Sequence, residues 1–225
     1  RELRKQLQAA GVEFRTSSDT EVLLESLILR GADETLRVLE GMFAFGWYDS
    51  VDRTLVIARD RLGIKPLYIY QDEDRFLFAS TIMAMRPWIP FKPDLPAISA
   101  FFLGAPSKGF AFVEGVKVVT PGTRIVVRRG HAQDSTRFAS MRDLWDPLQA
   151  EDLRRRPTER LVDMVDEALN ESVKTQLFAD APVGVLCSGG VDSSLIAAIA
   201  GEHHGGVGVF PANVGGKSNG HGQGR

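Results

Sequence analysis

Four apolar runs in the first half of the chain, residues 42–48, 54–60, 67–71 and 75–80, follow one another with very short links. Asp49-Ser50-Val51-Asp52-Arg53 and Asp72-Glu73-Asp74 are two of them. A parallel pair of strands needs a crossover of about a dozen residues or more, so links this short demand antiparallel neighbours. Helical patterns come first. Residues 1–10 read as a helix stopped by Gly11, and Ser18-Asp19-Thr20-Glu21 is a capping-box pattern that opens a second helix to about residue 29. A short helix at 34–39 ends before Gly41. This half is therefore expected to be α+β, and 115–120 and 124–129, joined by Pro121-Gly122, are expected to add a hairpin.

Residues 131–157 are polar and charged, include Arg154-Arg155-Arg156-Pro157, and read as a linker. Beyond them the period changes. Leu161, Val165, Leu169, Val173 and Leu177 recur every four residues across 158–178, with Met164 and Ala168 widening the face, as in an amphipathic helix. A short apolar strand at 182–187, the turn Ser188-Gly189-Gly190, a helix from 191 to about 203 and a strand at 207–210 follow. Strand, helix, strand is the opening of a parallel α/β sheet. The expected organisation is thus 1–130, a linker at 131–157, and 158–225.

The 27 basic and 29 acidic residues nearly cancel, so no global field favours nucleic acid or a membrane surface as partner. The longest apolar stretches, such as 97–105, fall well below the roughly 20 residues of a spanning helix. A single cysteine, Cys187, excludes an intrachain disulfide and fits a reducing compartment, the cytoplasm by default. The chain opens on Arg1 inside a helical pattern, as a sequence cut from a longer one would.

The sharpest chemical signal is Val185-Leu186-Cys187-Ser188-Gly189-Gly190-Val191-Asp192-Ser193-Ser194. An apolar strand that runs through a glycine turn into a helix aims backbone N–H groups and the positive end of the helix dipole at one spot, where phosphate fits. No G-x-x-x-x-G-K-[ST] spacing is present and no lysine follows the glycines, which argues against ordinary γ-phosphoryl transfer. Asp192 in an anion site calls for a cation, so magnesium held with a polyphosphate is expected there. The plain alternative is that Asp192 and Ser193 only serve the helix N-terminus.

The S-G-G-x-D-S pattern of Ser188 to Ser193 resembles the pyrophosphate loop of the N-type ATP pyrophosphatases, enzymes that cleave ATP between its α and β phosphates. Arg59-Asp60-Arg61-Leu62-Gly63-Ile64-Lys65-Pro66-Leu67-Tyr68, with Gly41-Met42-Phe43-Ala44-Phe45 before it and Ser17-Ser18-Asp19-Thr20-Glu21 further upstream, resembles the class II glutamine amidotransferase domain of the asparagine synthetase family. That resemblance covers nearly all of residues 1–130. It implies an N-terminal nucleophile hydrolase-like α+β domain followed by the beginning of a Rossmann-like ATP-pyrophosphatase domain.

It further implies that Asp19 holds the α-amino group of glutamine, and that Cys187, Ser188, Gly189, Gly190, Asp192, Ser193 and Ala212 meet ATP. Magnesium would join at Asp192. Asp60 and Lys65 are read as structural, and Cys187 as a buried structural cysteine. Glutamine, aspartate and ATP are the implied small-molecule substrates, and a homodimer stays open. Two departures stand out. Phe78-Ala79-Ser80-Thr81 has Thr81 where the family has glutamate, and Arg1 stands where no N-terminal cysteine nucleophile is present, so these 225 residues alone are expected to be inactive. The expected function is ATP-dependent amidation of aspartate through aspartyl-AMP with ammonia from glutamine. The alternatives are an amidotransferase for another carboxylate, or a non-catalytic module that keeps the fold.

Overall fold

Helix α1 (Glu2–Ala9) buries Leu7 completely and stops at Gly11, whose φ of 89° lies in the left-handed region that glycine enters without steric cost. The computed structural model describes residues 2–104, 109, 111–203 and 206–212. Helix α2 (Asp19–Val38) joins the second and third expected helices across a kink at Gly31, where φ is 75° and ψ 173°. A buried hydrogen bond of 3.0 Å between the hydroxyls of Ser26 and Thr35 ties the two arms of the kink together.

Strands β1 (Ala44–Asp49) and β2 (Thr54–Arg59) pair antiparallel, as do β3 (Tyr68–Gln71) and β4 (Phe76–Ala79), in line with the short links. Helix α3 (Leu95–Phe102) follows, with Asp94 capping the N–H of Ala97. The expected hairpin around Pro121-Gly122 does not form. Strand β5 (Val116–Val118) pairs with β3, whereas β6 (Thr123–Arg128) pairs with β2 and with β7 (His131–Arg137). The result is a four-stranded sheet ordered β1-β2-β6-β7 and a three-stranded sheet ordered β4-β3-β5.

Gly122 carries the chain from one sheet to the other. Its N–H donates to the Asp60 carbonyl at 2.8 Å, and its own carbonyl accepts from Phe138 at 2.8 Å and Ala139 at 3.2 Å. Its φ is 65°, and a Cβ there would collide with the Ala139 carbonyl. Ile57, Ile125 and Val127 of the first sheet share a core with Leu67 and Val119. Full burial of each such side chain contributes about 1.5 to 3 kcal/mol.

Residues 131–157 are not a plain linker. His131–Arg137 is β7, and α4 (Pro147–Arg155), capped by Asp146, occupies most of the charged stretch. Polarity misleads here because β7 is an edge strand with mostly exposed side chains, and α4 satisfies its charges locally through Glu151–Arg155 and Asp152–Arg156 pairs. The chain divides into two compact units, residues 1–145 and 146–225.

In the second unit α5 (Thr158–Gln176) runs as the spacing of four predicts, followed by β8 (Gly184–Cys187), α6 (Val191–His203) and β9 (Gly208–Pro211). Strands β8 and β9 are parallel. Val173, Ile199 and Ala200 form the core of this unit, with Leu169, Leu177, Val185 and Val207 against it. His203 Nε2 and Asn170 Oδ1, 3.1 Å apart, link α6 to α5. Among the described residues no helix is long and apolar enough to cross a membrane.

Candidate functional site

Asp19 is the first residue of α2 and its side chain is exposed. Half of the expected capping box is present: Ser18 Oγ accepts from the Thr20 N–H at 3.1 Å. The other half is rearranged. Glu21 does not return to Ser18 but takes the N–H groups of Arg15 and Thr16, each at 2.8 Å, and the Thr16 hydroxyl at 2.5 Å. The Thr16 hydroxyl bond is the largest influence holding the Glu21 carboxyl below its ordinary range, followed by the Arg15 N–H.

Arg4, which the sequence reading did not single out, closes the same loop from the other side. Its guanidinium donates to the carbonyls of Thr16 and Ser18, both at 3.0 Å, and lies 4.2 Å from the centre of the Phe14 ring. An arginine on a short polar helix face carries no sequence signal for such contacts, because the partners are main-chain carbonyls.

In the Arg59 to Tyr68 corner the charged side chains of Asp60 and Arg59 bond to main-chain groups. Asp60, 1% exposed, accepts from the N–H groups of Leu62 at 3.2 Å, Ile64 at 2.9 Å and Lys65 at 2.9 Å. Burial alone would raise its pKa, yet the converging N–H groups outweigh burial and hold the carboxyl below its ordinary value. Arg59 donates instead to the carbonyls of Lys65, Gly63 and Val119. The Lys65 side chain is exposed. Thr81 precedes a 3-10 turn at Ile82–Trp88 and makes no side-chain capping bond to it.

In the second unit the glycine turn lies where β8 passes into α6. Gly189 has φ of 83° and a Cβ there would meet nothing within 4 Å, so the turn is open on its outer side. Ser193 Oγ organises the loop: it accepts from the Ser188 N–H at 3.2 Å, lies 3.1 Å from Ser188 Oγ and donates to the Gly190 carbonyl at 3.2 Å. The Ser194 N–H reaches the Gly190 carbonyl at 3.1 Å, so the N–H groups just before it belong to the unpaired first turn of α6. Asp192 is exposed beside them.

Cys187 is half-buried rather than buried, at the last position of β8 where the strand gives way to the glycine turn. The Gly189 N–H, then the hydroxyls of Ser193 and Ser194 at 3.7 and 3.8 Å, favour its thiolate and lower its pKa. Ala212, the residue after β9, donates its N–H to the Cys187 carbonyl at 2.9 Å. Asn219, His221 and Gln223 of the glycine-rich tail lie outside the described residues. Asp19 belongs to the first unit and the Ser188 to Ser193 loop to the second. Two surface hollows of the first unit, one of 820 Å³ beside Tyr48 and Phe76 and one of 360 Å³ beside Ile69 and Lys117, are not lined by Asp19.

The family described as Glutamine amidotransferase domain matches residues 1–139, and that described as Asparagine synthase matches residues 164–219. Asparagine synthetase [glutamine-hydrolyzing] 1 of Bacillus subtilis (strain 168) is 37% identical over 90% of this chain and 31% of its own length. Asparagine synthetase [glutamine-hydrolyzing] 3 of the same strain is 33% identical over 90% of this chain and 32% of its own. Asparagine synthetase B of Escherichia coli (strain K12) is 34% identical over 83% of this chain and 28% of its own. The chain thus spans about a third of the length of the curated relatives it matches.

Proposed function

Because the chain belongs to the Glutamine amidotransferase domain family, with an Asparagine synthase match beginning at residue 164, we propose that it serves a glutamine-hydrolysing asparagine synthetase. On this reading the first unit takes part in releasing ammonia from glutamine, and the second in activating a carboxylate with ATP. Aspartate attacks the α phosphorus of ATP through a side-chain carboxylate oxygen, which releases pyrophosphate and forms aspartyl-AMP. Ammonia then attacks the activated carboxyl carbon and AMP leaves, giving asparagine. The observation that supports it best is the pairing, on one chain, of the Asp19 loop with a glycine turn at the mouth of a parallel strand.

Asp19 carries an exposed carboxylate suited to the α-ammonium of glutamine. In the second unit the backbone N–H groups after Gly190, with the Ser188 and Ser193 hydroxyls, suit the pyrophosphate part of ATP. Cys187 and Ala212 would meet the nucleotide beside it. Magnesium fits the same place: no group of three or more His, Cys, Asp or Glu side chains converges among the described residues, but this ion is commonly held by one or two carboxylates together with phosphate oxygens. Asp192 would be its protein ligand, and the ion would neutralise charge on the departing pyrophosphate. On this reading the protein works in the cytoplasm, in keeping with one free cysteine.

The first unit is tested by Asp19→Ala in the protein expressed from the complete reading frame. Loss of one charge-assisted contact should raise the KM for glutamine about 10- to 100-fold, while synthesis from added ammonia is unchanged. Equal loss of both activities would mean that Asp19 acts only as an N-terminal helix residue.

A further inference from the structure

We infer that Arg4 and Glu21 are positioning residues, a two-sided clamp on residues 15–18 that fixes Asp19 for the ammonium group of an amino-acid substrate. The inference rests on the reading of Asp19 as the glutamine contact. Residues 12–18 form neither helix nor strand, so their main-chain groups lack the regular partners that a helix or sheet would supply. Side chains supply them instead. Arg4 reaches 12 and 14 residues along the chain to the carbonyls of Thr16 and Ser18, and Glu21 reaches back to the N–H groups of Arg15 and Thr16.

The two charges take opposite polarities of the same short segment, each with the chemistry it requires: a guanidinium has only donors and a carboxylate only acceptors. Arg4 is suited to its side of the clamp because its planar fork can serve two carbonyls at once while its face rests on Phe14. The last carbonyl it holds, that of Ser18, is covalently joined to the nitrogen of Asp19. The backbone origin of the Asp19 side chain is therefore set by Arg4 on one side and by the first turn of α2 on the other.

A role confined to fold stability is less suited to these contacts. Helix α1 is already anchored by fully buried Leu7, whose carbonyl accepts from Val12 at 3.0 Å, and both arms of the clamp end within four residues of Asp19.

The test is a double-mutant cycle in the protein expressed from the complete reading frame, comparing Arg4→Ala, Asp19→Ala and the pair. Arg4→Ala should raise the KM for glutamine about tenfold with kcat little changed and ammonia-supported synthesis intact, and should add nothing in the Asp19→Ala background. Arg4→Lys, which keeps the charge without the fork, should recover only part of the effect. Multiplying effects in the pair would overturn the clamp, as would an unchanged KM for Arg4→Ala beside a raised one for Asp19→Ala. Both results leave the glutamine reading standing. An Asp19→Ala protein with normal glutamine use would instead sink that reading and the clamp with it. On the present chain, Glu21→Gln should speed hydrogen exchange at the Arg15 and Thr16 amides, since an amide nitrogen cannot accept. Unaltered exchange there would also overturn the clamp.

Discussion

Replacing Asp60 by alanine is expected to lower the melting temperature of the first unit by roughly 10 °C or more. The carboxylate is almost fully buried and accepts from three main-chain N–H groups, so its removal leaves donors with neither water nor a partner. A loss of about 3 to 5 kcal/mol follows from the cost of unsatisfied buried donors and of lost bonds to a charged acceptor. The three tryptophans, Trp47, Trp88 and Trp145, all lie in residues 1–145, so their fluorescence reports this unit's melting within the intact chain. Asp60→Asn keeps one acceptor oxygen but turns an N–H donor toward the Lys65 N–H, so it should destabilise as well.

The pH dependence has a definite sign. Since the folded pKa of Asp60 is lowered from the ordinary 3.8, its stabilisation is fully present above that value and is lost as the pH falls through the folded pKa. The stability gap between the native protein and Asp60→Asn should therefore close in acid and stay constant near neutrality. A melting shift under about 2 °C for Asp60→Ala would contradict the structural role.

The second large effect concerns the other unit. In the protein expressed from the complete reading frame, Asp192→Ala should reduce aspartate-dependent pyrophosphate release about a hundredfold or more, while glutamine hydrolysis continues. Asp192 is exposed at the start of α6, and the hydroxyl network of Ser188 and Ser193 that shapes the turn does not include its side chain. The turn should therefore keep its form in the variant, so the loss would report chemistry rather than misfolding. Undiminished pyrophosphate release would remove Asp192 from the site and leave it as an ordinary residue of the helix N-terminus.

Local rules carried the sequence reading a long way. Links of a few residues between strands admit only antiparallel pairing, and β1 with β2 and β3 with β4 obey it. The apolar run, glycine turn and helix at 184–203 is equally local, and β8 and β9 are parallel as it requires. Pro121-Gly122 shows where local rules stop. The dipeptide suits a hairpin, but the pairing of β5 with β3 and of β6 with β2 is decided by partners some 50 to 70 residues away in sequence. Gly122 is instead required for a close approach to Ala139, which no short window reveals.

The candidate site divides along the same line. Asp19 stood out through the family resemblance, and the Ser188 to Ser193 loop through its glycine turn between an apolar strand and a helix. The supports did not. Glu21 matches a capping box in sequence, yet its carboxylate turns to Arg15 and Thr16, because the irregular loop offers N–H groups that no strand or helix satisfies. Arg4 was invisible for a related reason: a carbonyl looks the same in every residue, so an arginine that binds two of them leaves no trace in the sequence beyond its charge.

Under the proposed function one protein passes nitrogen from glutamine to a carboxylate activated by ATP. The most direct test is to supply glutamine labelled with ¹⁵N in the amide, together with aspartate, ATP and magnesium, to the protein expressed from the complete reading frame. Asparagine carrying the label in its side-chain amide, formed with equal amounts of AMP and pyrophosphate, is the expected result. Release of ADP and phosphate in their place, or labelled ammonia with no labelled asparagine, would contradict it.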